Sequence, residues 1–313
     1  MRTLLPLPCL LLTLFACSDG GGETGGGGET GGGTDTADTA DTADTADTSG
    51  GDTSEDPVCG AVPAPASGVP FVCVPSGGFL MGCTEGTAPC EDDESPAHQV
   101  TLTHSFWMAQ TEVTQAQYLA VTGVNPSAHD ACGESCPVDS VRWTAAVSFA
   151  NTMSEAEGLT ACYTCGGSGC EAAGNPYECE GYRLATEAEW EFAARCNTDL
   201  TYAGSATSTD VAWTGLNSDD DVHPVGILAA NACGLFDMSG NLWELAHDVY
   251  GAYGAVEATD PVGAASGTDY LLRGGSYHAK GASARVSERS HTGMEIDERG
   301  IGFRVVRGGK AVQ

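Results

Sequence analysis

The sequence predicts one large, disulfide-rich domain of mixed strands and helices, carried behind an export leader and an acidic tether. Three observations predict this. Residues 58–313, about 255 of them, carry apolar side chains in both two-residue and helical periods, enough chain for one sizeable core. Twelve cysteines lie within that stretch. Ahead of it, residues 1–17 hold a short apolar run, and residues 18–57 contain no aromatic residue at all.

Arg2 followed by an apolar run from Leu4 to Phe15 reads as a secretory signal, too short to span a bilayer. Its end, Leu14-Phe15-Ala16-Cys17, resembles a bacterial lipobox. That resemblance makes Cys17 the lipidated first residue, with the chain tethered to a membrane by its acyl chains. Ser18 after the cysteine resembles a signal for the outer membrane. Residues 18–57 are Gly, Thr, Asp, Glu and Ala, with Thr-Ala-Asp repeated from Thr36 to Asp47. Low hydrophobicity and like charge predict a disordered spacer. The net charge of −31 argues against nucleic acid and anionic lipid as partners and suits a divalent cation.

Setting aside Cys9 in the leader and Cys17, the cysteines are Cys59, Cys73, Cys83, Cys90, Cys132, Cys136, Cys162, Cys165, Cys170, Cys179, Cys196 and Cys233. An even number on an exported chain predicts disulfides. The cluster Cys162, Cys165, Cys170 and Cys179 also suits a thiolate zinc or copper site. Spacing leaves the pairing open.

Taken in order, Phe71–Pro75 and Gly78–Gly82 read as two strands around a turn, and Pro96–Leu102 alternates like a half-buried strand, with His98 a structural histidine. Thr114 and Gln117 form a capping box for a helix that offers Tyr118, Leu119 and Val121 as apolar surface and stops at Gly123. A second helix covers 145–157, with Val147, Ala150, Met153 and Ser154 near one face and Gly158 as its stop. Residues 158–182 form a cysteine-pinned loop. Thr186 and Glu189 make a second capping box for a helix ending at Arg195, with Trp190, Ala193 and Ala194 on its buried face. Asp219, Asp220 and Asp221 suit a solvated turn, and a second cation site is the alternative. Gly234-Leu235-Phe236-Asp237-Met238-Ser239-Gly240-Asn241-Leu242-Trp243-Glu244 brackets two glycines with two acids. Two carboxylates and turned-in carbonyls suit a hard cation such as calcium; a tight turn with a buried tryptophan is the plainer reading.

Several segments resemble one family. GLFDMSGNLWE at 234–244 is similar to the GLYDMxGNVWEW signature of the formylglycine-generating enzyme (sulfatase-modifying factor) family. EVTQAQY at 112–118, PV and VRW at 137–143, RLATEAEWEFAAR at 183–195, HPVG at 223–226, RGGSY at 273–277 and IGFRVV at 301–306 resemble that family's other motifs in the same order. Arg285 and Arg289 stand where the family has arginines before the last strand. The resemblance spans about residues 69–307. It implies one α+β domain of the formylglycine-generating fold, related to C-type lectins and rich in irregular structure. It also implies a structural calcium at Asp237, Gly240, Leu242 and Glu244.

Enzymes of that family oxidise a cysteine of a sulfatase to formylglycine, using copper(I) held by two cysteines after the GGS motif. Soft Cu(I) needs thiolates. Here Ala279 and Ala284 occupy the two cysteine positions in an ungapped comparison, and no cysteine follows Cys233. Ser276 remains as a catalytic candidate. His278 is a single imidazole on a polar loop. The resulting expectation is a surface-tethered binding or accessory module that has lost copper chemistry, for an exported protein, peptide or glycan ligand, with the Ser276 and Trp243 cleft as its site. The alternative is a divergent oxidoreductase or maturation factor acting on an exported protein. A structural envelope protein is the third reading.

Overall fold

The computed structural model describes residues 55–56, 59–84, 90–167 and 169–311. The expected leader, Cys17 and nearly all of the tether lie outside these residues. Glu55–Asp56, at the end of the stretch expected to be tether, pairs antiparallel with Gly60–Ala61, so ordered backbone begins before residue 58.

The centre is a four-stranded antiparallel sheet in the order Phe71–Val74, His104–Ala109, Val305–Ala311 and Tyr182–Leu184. The last strand of the chain thus lies inside the sheet, beside strands far away in sequence. Alternation along His104–Ala109 sends Trp107 and Ala109 into one apolar core and Phe106 and Met108 into another. The first core is closed by the helices Gln115–Thr122 and Trp143–Ala156, and the second by the helix Glu187–Arg195. A second four-stranded sheet, ordered Ser290–Gly293, Asp269–Arg273, Trp243–Val249 and Ile301–Gly302, carries the segments that resemble the family's site. Three further strands, Ala258–Thr259, His98–Leu102 and Gly77–Met81, form a small sheet. This is the expected α+β fold.

Local chemistry accounts for the helix limits. Thr114 accepts from Gln117 N–H and Gln117 accepts from Thr114 N–H, closing the box. Gly123 ends that helix in the left-handed region, at φ 78°. Thr186 and Glu189 cap the third helix in the same reciprocal way. The second helix starts two residues earlier than expected, at Trp143, because its indole is buried and donates to Ala246 O at 2.9 Å. Leu119, expected to pack, faces solvent; Tyr118 takes the core and stacks on Phe149 at 5.4 Å.

All twelve cysteines of the domain are oxidised, as Cys59–Cys73, Cys83–Cys90, Cys132–Cys136, Cys162–Cys179, Cys165–Cys170 and Cys196–Cys233. The thiolate metal alternative at Cys162–Cys179 is therefore set aside, since a disulfide sulfur offers no thiolate. The six disulfides belong to an oxidising compartment, as in an exported protein. Among the described residues no helix is long and apolar enough to cross a membrane.

Candidate functional site

The Arg273–Ala284 segment rests on a buried ionic lattice. Arg273 is fully buried and donates to Glu187, to Glu191 and to the Val286 and Ser287 carbonyls. Glu191 also receives Arg195, and Glu187 also receives Arg289 at 2.6 Å. One continuous chain thus runs Arg195–Glu191–Arg273–Glu187–Arg289. The helix that looked merely amphipathic places three buried acids, Glu187, Glu189 and Glu191, where each meets arginines. Buried acids and guanidiniums persist only when paired and hydrogen-bonded. The helix therefore positions the RGGS turn more than it decorates a surface.

The turn itself is held by backbone contact. Gly240 N–H donates to Gly274 O at 2.7 Å. A Cβ on Gly240 would meet Trp213 O at 2.3 Å, and one on Gly275 would meet Ser283 O at 2.5 Å; both residues have positive φ. These glycines are needed for close approach. Ser276 is buried, with its hydroxyl 3.3 Å from His278 Nδ1. Tyr277 follows, its N–H donating to Asn241 O and its phenol 3.2 Å from His129 Nε2. His129 Nδ1 lies 3.2 Å from the buried Asp139 carboxylate without completing a hydrogen bond to it. Ala279 is half-buried and accepts Gly215 N–H at 2.9 Å, while Ala284 is fully buried and its carbonyl accepts the Ser239 hydroxyl at 2.7 Å. Neither offers a ligand to copper, and every cysteine of the domain is in a disulfide. The donor set does not fit Cu(I).

The expected calcium positions are filled differently. Arg304, fully buried, donates to both oxygens of Glu244, at 2.7 and 2.5 Å. Trp190 Nε1 adds a third donor to Glu244 at 2.8 Å. Asp237 accepts Gly226 N–H at 2.7 Å. The backbones of Gly240 and Leu242 donate to Gly274 O and Glu112 respectively. A guanidinium pairs with Glu244, so a cation at these positions would share that carboxylate with Arg304. Among the described residues no group of three or more His, Cys, Asp or Glu side chains is set to hold a metal ion. Glu112 is the partner that the sequence did not reveal: it receives Leu242 N–H and Asn241 Nδ2, each at 2.9 Å. Three carboxylates, Glu112, Asp237 and Glu244, thus cluster here; Glu244 is ion-paired with Arg304, and the charge of Arg304 acts on Glu112 and Asp237 through space. Burial first, then the charges of Asp237 and Glu244, raise Glu112 well above the usual carboxylate range. Burial likewise lifts Asp237 to about 6.

Elsewhere, Asp219 and Asp220 are exposed with φ of 57° and 61°, as in a solvated turn. Trp243 is half-buried, and Trp213 stacks on His223 at 3.8 Å.

Residues 61–308 match the family model of the sulfatase-modifying factor enzyme 1-like domain. The chain belongs to this family. It is 28% identical over 299 residues to the formylglycine-generating enzyme of Streptomyces coelicolor, covering 79% of this chain and 93% of that one. It is 34% identical over 178 residues to the chaperone protein LppX of Paenibacillus barcinonensis, covering 46% of this chain and 62% of that protein. It also matches 38% of the length of a serine/threonine-protein kinase, pkn1 of Chlamydia caviae, at 30% identity. Among solved structures, Treponema denticola variable protein 1 superposes with a TM-score of 0.68 at 28% identity, covering 76% of this chain and 95% of that one.

Proposed function

We propose that this family member is a binding or accessory module without copper-dependent cysteine oxidation, held on the outer-membrane surface by a lipid at Cys17. The observation that carries this reading is the pair Ala279 and Ala284: two methyl groups stand where the family resemblance requires thiolates, and no free thiol of the domain can replace them. Ser276 supports it, since a buried hydroxyl that faces His278 cannot reach a protein substrate without displacing the turn. The ionic lattice under Arg273 and the close-packed glycines hold the turn rigidly, which suits a scaffold used for binding. The partner in this reading is an exported protein, peptide or glycan, and similarity to a protein named as a chaperone favours a protein partner.

Copper binding tests the reading. With its disulfides intact, the parent chain should not compete with a chelating dye for Cu(I). The Ala279→Cys/Ala284→Cys variant should do so if the turn has kept the family's geometry. Stoichiometric Cu(I) uptake by the parent would overturn the proposal in favour of a divergent oxidoreductase acting on an exported protein.

A further inference from the structure

A cavity of about 240 Å³ lies between the start of the Glu187–Arg195 helix and the loop Gly251–Ala264, and none of residues 273–285 lines it. Its walls include Met81, Ala188, Val256 and Val262, with His98, Glu187, Asp248, Tyr253 and Arg289 among its polar members. Most of the polar groups are used within the protein. Glu187 receives Tyr253, Arg273 and Arg289. Arg289 also donates to Asp93 O and Gly251 O.

Two acceptors remain. His98 Nδ1 lies 3.2 Å from Pro96 O, and a carbonyl only accepts, so that nitrogen carries a proton and, in the neutral ring, Nε2 is the acceptor. Nε2 has no partner among the described residues. Asp248, 2% exposed, accepts Glu187 N–H through Oδ2 at 2.8 Å, while Oδ1 is buried without a well-formed hydrogen bond, the Gly263 N–H acting on the carboxyl at poorer geometry. A buried polar atom left unpaired is unfavourable, and native proteins rarely keep one without a use. Burial first, then the charges of Glu187 and Glu189, push the Asp248 carboxyl up to about 7, against the pull of the Glu187 and Gly263 N–H groups. Glu187 and Glu189 are already ion-paired with arginines, so Asp248 is the carboxyl of this wall left without a cationic partner among the described residues.

The wall is richer in acceptors than in donors, so the fitting ligand is one that donates. The unpaired Asp248 carboxylate selects a cation, and the apolar surface selects a short hydrocarbon body. We propose that this cavity binds a small organic amine in its ammonium form, with its N–H donors toward His98 Nε2, Asp248 as counter-charge in the inner wall, and its alkyl body against Met81, Val256 and Val262. The chain's net charge of −31 raises the local concentration of such cations. Ala252 and Val256, both exposed, stand at its solvent side.

The test is calorimetric titration of the folded chain with straight-chain ammonium ions from methyl to hexyl, and with the alcohols and carboxylates of equal length. At least one ammonium ion should bind saturably at one site, with the matching alcohol and carboxylate at least tenfold weaker. Asp248→Asn should weaken that binding at least tenfold. Ala252→Trp, at an exposed position where folding is not at stake, should abolish it by filling the mouth. No saturable ammonium binding, equal binding of the alcohol, or binding unchanged in Ala252→Trp would each overturn the site; the last would assign the amine to the acidic surface.

Discussion

Replacing Arg304 with methionine would remove the guanidinium that pairs with Glu244 and whose charge also acts on Glu112 and Asp237. The side chain is fully buried, so Glu244 would be left without its ion-pair partner in a low-dielectric pocket beside two further carboxylates. Breaking a buried pair in this way costs about 3–5 kcal/mol. The Ala109 and Phe236 carbonyls would also lose their guanidinium donors, at 3.1 and 2.9 Å. For a domain of this size, that loss corresponds to a fall in Tm of about 6–20 °C. The deficit should depend on pH with a definite sign. Arg304 holds Asp237 and Glu112 down, so its removal raises carboxyl pKa values that already stand above their unfolded values. An acid whose folded pKa is raised loses stability as pH rises from the unfolded value through the folded one, for Asp237 from about 4 to 6 and beyond. Arg304→Met should therefore be most destabilised at pH 7.5 and recover part of the loss at pH 5. Urea unfolding followed by circular dichroism at both pH values measures this. A loss below about 1 kcal/mol, or one that is the same at both pH values, would refute the picture of a buried Glu244–Arg304 pair beside two further carboxylates.

Three other outcomes follow from the same contacts. Because Arg304 fills Glu244, a calcium chelator should leave the Tm unchanged; a fall of several degrees, with calcium found in the purified protein, would return a metal to Asp237 and Glu244. Thiol counting on the exported, mature domain after denaturation without reductant should give none, whereas two or more free thiols would contradict the six disulfides. His247 is buried against Tyr163, and burial and then Arg183 lower its pKa to about 3. Its share of stability is therefore complete above about 6.5 and lost as pH falls toward 3, and NMR should find the ring neutral at pH 5. A titration midpoint near 6.5 would show the ring to be solvated.

What could be read in the sequence was local. The capping boxes at Thr114 and Thr186, the Gly123 stop and the strand periods at Phe71 and His98 each follow from residues a few positions apart. Disulfide formation could be read from compartment and parity, although the pairing could not. The ionic lattice was not legible, because Glu187 meets Arg289 and Glu244 meets Arg304 across long sequence separations that leave no period. A signal was nonetheless present. Only eleven basic residues remain after Arg2 is set aside from the chain's twelve, and seven of them, Arg142, Arg183, Arg195, Arg273, Arg285, Arg289 and Arg304, fall in family-like motifs or at the family's arginine positions. In so acidic a chain, arginines concentrated in apolar motifs point to buried partners. The surroundings of the expected calcium set were hidden for the same reason: spacing showed two acids and could not show the guanidinium that meets one of them.

The loss of oxidation chemistry is tested most directly by incubating the purified chain with a sulfatase-derived cysteine peptide, copper, reductant and oxygen, and weighing the peptide by mass spectrometry. With Ala279 and Ala284 in place of thiolates, the peptide should keep its cysteine mass throughout. An aldehyde product that requires the folded chain would contradict this, and its disappearance in His278→Ala would place an unforeseen metal beside Ser276.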